Sequence, residues 1–254
     1  MRVITVGFAC NNACVFCAQG DLRTARAGQD GGLPHAPGLP ESDVDRAVEA
    51  VQPGDTVAFA GGEPTLFAAL PRWIQAAAAR GAARVVVQTN GRRLAYRAFA
   101  RALREASPRL RLDVSLHGST APMHDWHTGT EGSFAQTVLG LRHARAERLP
   151  AGVTVVVTRS NYRHLTEIVR VAHAAGASAV HFAAAVALGR AAGARALVVP
   201  AEEMVAPHRQ RASAEAARLG LRVQVGEDPS SELFAGLGEV EPPAPARERV
   251  EEHP

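Results

Sequence analysis

The residues of this chain best suited to chemistry sit in one short turn, Cys10-Asn-Asn-Ala-Cys14-Val-Phe-Cys17, which holds all 3 of its cysteines. Thiolates so close in sequence can converge on one metal centre. Three of them cannot close the four-ligand shell of a structural zinc site or an ordinary ferredoxin cluster. One metal position is left open. In a cube-shaped iron-sulfur cluster, three cysteines hold three irons and the fourth iron is free to bind a reactant. The competing reading is a zinc or inert cluster site in a binding or electron-transfer protein, completed by one of the 10 histidines, such as His35.

A second chemical strip is Gly61-Gly62-Glu63-Pro64. Two glycines let a backbone approach a ligand with no side chain between, Glu63 offers a carboxylate for an ammonium, and Pro64 stiffens the exit. Two further polar stretches, Thr89-Asn90-Gly91 and Ser115-Leu-His117-Gly118, follow apolar runs in the same way. Asn90-Gly91 also suits a plain turn pair.

The Cys-x3-Cys-x2-Cys spacing, with Phe16 directly before the last cysteine, resembles the cluster loop of the radical S-adenosylmethionine (radical SAM) superfamily, and the Gly-Gly-Glu-Pro strip resembles a motif of the same superfamily. The resemblance extends over roughly Val3 to Val225. It implies a 4Fe-4S cluster on Cys10, Cys14 and Cys17, with S-adenosylmethionine (SAM) on the open iron. Phe16 and the strip Gly61, Gly62, Glu63 and Pro64 would bind the cofactors, the strip taking the methionine amino group. Ser115 and His117 would contact the SAM carboxylate or ribose, with Thr89 and Asn90 facing the same cavity. The segment Phe182 to Gly189 would lie along the adenine through its backbone, since alanines stand where polar groups are common. One electron from the cluster would then break a sulfur-carbon bond of SAM, giving methionine and a 5'-deoxyadenosyl radical that abstracts hydrogen from a substrate.

The resemblance also implies an external one-electron reductant of flavodoxin or ferredoxin type. A peptide or small metabolite is the leading substrate class, with activation of a glycyl-radical enzyme as the rival. No cysteine follows Cys17, so auxiliary clusters cannot be built from this chain. The stretch His124-Asp125-Trp-His-Thr-Gly129 before Gly132-Ser133 resembles a loop and helix start in one branch of the superfamily; His124 and Asp125 read as structural and Ser133 as an N-cap. Asn161 reads as the cap of a later helix.

These residues need a scaffold that gathers them. Alanine-rich helical stretches end at Gly81, Gly176 and Gly220, and each is followed within a few residues by a β-branched run. That rhythm predicts parallel strands with helical crossovers. Strands are expected near Arg2-Phe8, Thr56-Ala60, Arg84-Thr89, Leu110-Leu116, Val153-Thr158 and Ala179-Ala183. Helices are expected near Ser42-Val51, Phe67-Arg80, Ala95-Ala106, Phe134-Arg148, Leu165-Ala175 and Glu202-Leu219. The fold class is α/β, a partial (β/α)6 TIM-type barrel, with Val223-Val225 as a possible last edge strand. Active sites of such folds collect where strands end, and all four motifs fall there. The core domain is expected over 1–226. The Pro- and Glu-rich stretch 227–254 reads as a disordered tail. The glycine- and proline-rich Gly20-Pro40 reads as a lid or a surface insertion.

At 254 residues and 46% apolar content the chain can bury one sizeable core. A formal charge of +3 does not indicate nucleic acid. All of its basic residues are arginine, and Arg93, Arg97, Arg101 and Arg104 form a stripe that reads as a solvated face, with an acidic partner as the alternative. The alanine-rich run Ala172-Val199 is broken by His173, His181, Arg190 and Arg195, so no membrane span is expected. With strand-like Val3-Val6 near the first residue there is no room for a signal peptide, and a cytoplasmic location is expected. Clustered cysteines in that reducing compartment favour metal over disulfides.

Overall fold

The computed structural model describes residues 1–20 and 39–226. Both the tail from 227 and most of the Gly20-Pro40 segment, His35 included, lie outside the described residues. Seven parallel strands form one sheet in chain order. They are β1 (Arg2–Thr5), β2 (Thr56–Ala60), β3 (Arg84–Thr89), β4 (Leu110–Ser115), β5 (Ala151–Val157), β6 (Ala179–Ala184) and β7 (Arg222–Gly226). The partial TIM-type barrel expected from the glycine-punctuated rhythm is the observed architecture, and the edge strand at Val223-Val225 is β7.

The helices are α1 (Glu41–Glu49), α2 (Leu70–Ala79), α3 (Arg97–Ala106), α4 (Ala121–Thr128), α5 (Ser133–Ala146), α6 (Leu165–Ala175), the single turn α7 (Arg195–Val198) and α8 (Glu202–Arg218). Alternation along the strands divides their side chains between two faces. Val57, Phe59, Val85, Val87, Leu112, Val114, Val153 and Val155 belong to the main core with Trp73 and Ile74 of α2, Leu103 of α3, Leu141 of α5 and Ile168 of α6. The other face lines the lumen, where Ala58, Val86 and Ala179 form a small cluster of their own. Among the described residues, no helix is long and apolar enough to cross a membrane.

Several boundaries differ from expectation for local reasons. β1 ends at Thr5 rather than Phe8, with one more ladder bond from Val6 N to Ala60 O before the chain leaves for the cysteine loop. α2 starts at Leu70 rather than Phe67, because Pro64–Leu66 form a 3-10 turn that Glu63 caps and Phe67 leaves in extended conformation. The sequence reads α4 as loop. Its eight residues show almost no apolar periodicity, yet Pro122 opens it and left-handed Gly129 stops it. Ser133 is not an N-cap but the first residue of α5. The capping group is Asp125, whose carboxylate accepts from Gly132 N, Phe134 N and Ser133 Oγ, each at 2.8 Å.

Candidate functional site

The exits of β1 to β4 meet as the alternation of strand and helix requires. The cysteine loop leaves β1 and is held by partners from across the chain. Ala13 N and Val15 N donate to the carbonyls of Thr128 and His127 at 2.7 and 3.0 Å, so the end of α4 is the rail on which the loop lies. Arg92 donates to Asn11 O and, at 3.0 Å, to Asn12 Oδ1, while Asn90 Nδ2 donates to Asn11 Oδ1 at 2.7 Å. From the far side, Arg190 N donates to Cys17 O at 3.1 Å and its guanidinium to Cys14 O at 3.4 Å. Gly189 makes this approach possible: with φ +53, a Cβ there would stand 2.4 Å from Cys17 O.

The Gly-Gly strip serves the same junction. A Cβ on Gly61 would lie 2.3 Å from Gly7 O, and one on Gly62 would lie 2.2 Å from Ala9 O. Gly62 N and Glu63 N donate to those carbonyls at 2.8 Å. What these two glycines approach so closely is the backbone leaving β1.

Glu63 is buried, and its carboxylate accepts four hydrogen bonds. Oε1 takes Thr65 N at 3.0 Å, Thr65 Oγ1 at 2.6 Å and Thr89 Oγ1 at 2.7 Å; Oε2 takes Asn90 N at 2.6 Å. Burial pushes this carboxyl up from its ordinary range, against the four hydrogen bonds that pull it down. One lone pair of Oε2 stays available for a donor. Asn90 does two jobs, since its Oδ1 also accepts from Arg92 N as a turn residue would.

His117 is buried beside Phe16, ring edge to ring face at 4.8 Å. Its Nδ1 accepts from Val156 N at 3.3 Å, which leaves Nε2 as the protonated nitrogen. Burial, with His124 and His127 nearby, holds it well below the ordinary histidine range, so it is a neutral donor. His124 Nδ1 accepts from His117 N at 3.1 Å, the structural role expected of it. Asn161 stands at the N-cap position of the 3-10 turn Tyr162–His164, as expected, but its side chain makes no cap bond there and is instead a fully buried strut. Its Nδ2 reaches His117 O and Val156 O, and its Oδ1 accepts from Thr158 N. The Ser115 hydroxyl takes no partner among the described residues. The arginine stripe is partly neutralised, since Arg97 and Arg101 share Glu147 and Arg93 lies over the Phe99 ring.

One cavity of about 370 Å³ collects these groups. Cys10, Cys14 and Cys17 line it together with Phe16, Gly61, Gly62, Glu63, Thr89, Asn90, Ser115 and His117, while Ala183, Ala184 and Val186 form an apolar stretch of its wall. Pro64 is buried behind it at the start of the 3-10 turn. The lining also contains Gln88, Asp113 and Thr154, which the apolar character of the strands hid. The signal that finds them is alternation: in Leu-Arg-Leu-Asp-Val-Ser of β4 every second residue is polar. Arg92 and Arg190 are legible only once the contacts are known.

The donor set suits a cluster with one open corner. All three cysteines are half-buried thiols outside any disulfide. Burial, then Cys10 and Cys17, push the Cys14 thiol up to about 12. Such a trio resists full ionisation until a cation compensates it. Among the described residues no three histidine, cysteine or acidic side chains converge on a single ion, whereas a four-iron cluster spreads its thiolates over separate irons.

Comparison with known proteins accords with this site. The family model described as the radical SAM superfamily matches residues 4–172. The chain is 30% identical over 203 residues to an AdoMet-dependent heme synthase of Oleidesulfovibrio alaskensis, covering 77% of this chain and 48% of that protein. It is 30% identical over 181 residues to a probable GTP 3',8-cyclase of Metallosphaera sedula, covering 70% and 53%. The chain thus spans about half the length of these curated relatives. The solved structure of native anSMEcpe with bound AdoMet and Cp18Cys peptide shares the fold, at TM-score 0.64 and 16% identity over 88% of this chain and 62% of that one. With the family model spanning β1 to α6 and three cysteines at the exit of β1, the chain belongs to the radical SAM superfamily, whose cofactors are a 4Fe-4S cluster and SAM.

Proposed function

We propose that this chain is an enzyme that cleaves SAM reductively at a single 4Fe-4S cluster and abstracts hydrogen from a peptide or small-molecule substrate. The observation that carries the reading is the cavity that holds all three cysteines, the Gly-Gly-Glu strip and Ser115 on one continuous lining. When bound, the cluster supplies one electron to SAM, and SAM supplies a 5'-deoxyadenosyl radical.

The chain's own residues bind, orient and shield. Cys10, Cys14 and Cys17 hold three irons. Gly61 and Gly62 set the β2 exit against the cysteine loop, and Glu63 pins the β3 exit beside it while offering Oε2 to an ammonium. Ser115, whose hydroxyl has no partner among the described residues, and the Nε2–H of His117 are donors for a carboxylate or ribose oxygen. Ala183 and Ala184 give the adenine an apolar wall and their backbone. Phe16 shields the cavity beside the last cysteine. A flavodoxin- or ferredoxin-type reductant delivers the electron. The peptide or small-molecule substrate class is supported by the neighbour that holds a peptide and by relatives named for haem synthesis and GTP cyclisation.

The test is anaerobic reconstitution with iron and sulfide, then reduction and assay of 5'-deoxyadenosine from SAM. About four irons per chain and reduction-dependent nucleoside release support the reading; zinc, no cluster and no release refute it.

A further inference from the structure

Below the level of the cysteine loop, the lumen carries a polar belt. Gln88 of β3 pairs in register with Asp113 of β4, and Thr154 of β5 pairs with His181 of β6. Their neighbours along the strands, Val87, Leu112, Val114, Val153 and Val155, are in the helix-covered core, so the belt is on the lumen side. Closed βα barrels fill this space with branched apolar side chains. Here Gln88, Asp113 and Thr154 line the same cavity as the three cysteines.

Asp113 is the unusual member. It is 4% exposed, and its Oδ1 accepts from Thr154 Oγ1 at 2.6 Å. Among the described residues its Oδ2 accepts nothing, and no arginine pairs with it. A buried carboxylate without a cation is unfavourable, and a ligand that supplies a donor offsets the cost.

We propose that Asp113 selects the substrate by taking its N–H or O–H donor, best a cationic nitrogen, at the floor of the SAM cavity. This rests on the SAM-cleaving reading above. Thr154 holds the Asp113 carboxylate in place and His181 backs Thr154 at 3.5 Å. The other charged or titratable groups near Asp113 do not neutralise it. Arg111, two residues earlier on β4, turns its guanidinium to the carbonyls of Pro108 and Leu110. Glu63, His117 and the cysteines are elsewhere on the cavity lining. Burial raises the empty carboxyl to about 7, so a cationic ligand would find it ready to ionise near neutrality.

The test uses three probes of equal length, n-butylammonium, n-butanol and butyrate, titrated into the reconstituted full chain with melting temperature as readout. Wild type should bind butylammonium about tenfold more tightly than butanol, as a charge-assisted hydrogen bond does, and butyrate least. Asp113→Asn should remove the preference. If that variant does not fold, a pH series on wild type replaces it, and the preference should grow from about pH 6 to about pH 8 as the carboxyl ionises. Equal binding of butylammonium to wild type and D113N, or no preference over butanol across that series, overturns the inference. A chain that keeps the preference but yields no cluster and no 5'-deoxyadenosine refutes the SAM-cleaving reading alone. Cleavage without the preference refutes the Asp113 assignment alone.

Discussion

The two sides of the cavity are built by opposite means. The side formed by the exits of β1, β2 and β3 is cross-braced: Glu63 accepts four hydrogen bonds, those from Thr89 and Asn90 joining the exits of β2 and β3, and Arg92, Asn90, Arg190 and the end of α4 all grip the cysteine loop. The side formed by β6 is bare, presenting Ala183, Ala184 and Val186. Rigid polar bracing suits a group that must be held in one place. An apolar wall of small side chains suits a ligand that is held by shape and backbone, and leaves room for another beside it.

The comparison breaks most severely at the cysteines. Cys14→Ala should abolish cluster assembly and all SAM cleavage, read as iron per chain and as 5'-deoxyadenosine; a variant that still assembled the cluster would refute the ligand set. Glu63→Ala is next. It strands Thr65 N, Thr89 Oγ1 and Asn90 N at a buried site, so stability should fall by about 3 kcal/mol or more in denaturant unfolding, with iron content retained and SAM binding weakened. An unchanged unfolding midpoint would remove Glu63 from the bracing, and normal cleavage kinetics would remove it from the SAM site.

On the bare side, Ala184→Leu should leave iron content and unfolding midpoint near wild type while raising the KM for SAM several-fold. A loss of iron would mean that this wall also braces the cluster. The smallest effect concerns His124, which burial holds down to about 4. Its neutral burial contributes stability that is present above the unfolded histidine value of about 6.5 and is lost as pH falls towards the folded value. His124→Gln should therefore flatten the acid side of the stability-pH curve between about pH 6.5 and about pH 4; an unchanged slope would show that the ring is not buried neutral.

The sequence by itself determined the family and the class of scaffold. Cysteine spacing is local: eight consecutive residues carry all the donors, and no distant contact can alter that. The alternation of glycine-stopped helices with β-branched runs likewise reflects backbone preferences that short segments express alone, and so the strands, the edge strand at Val223-Val225 included, and most of the described helices were legible. Tertiary structure decided what each polar residue touches. Short apolar periodicity cannot reveal α4, whose place as the rail of the cysteine loop follows from the carbonyls of Thr128 and His127, remote in sequence from the Ala13 N and Val15 N that they accept from. Nor does the sequence show that Glu63 joins two strand exits, or that Asp113 has a hydroxyl and, among the described residues, no cation. Those are facts about partners brought together from remote segments, where burial raises the stakes of every unmade hydrogen bond.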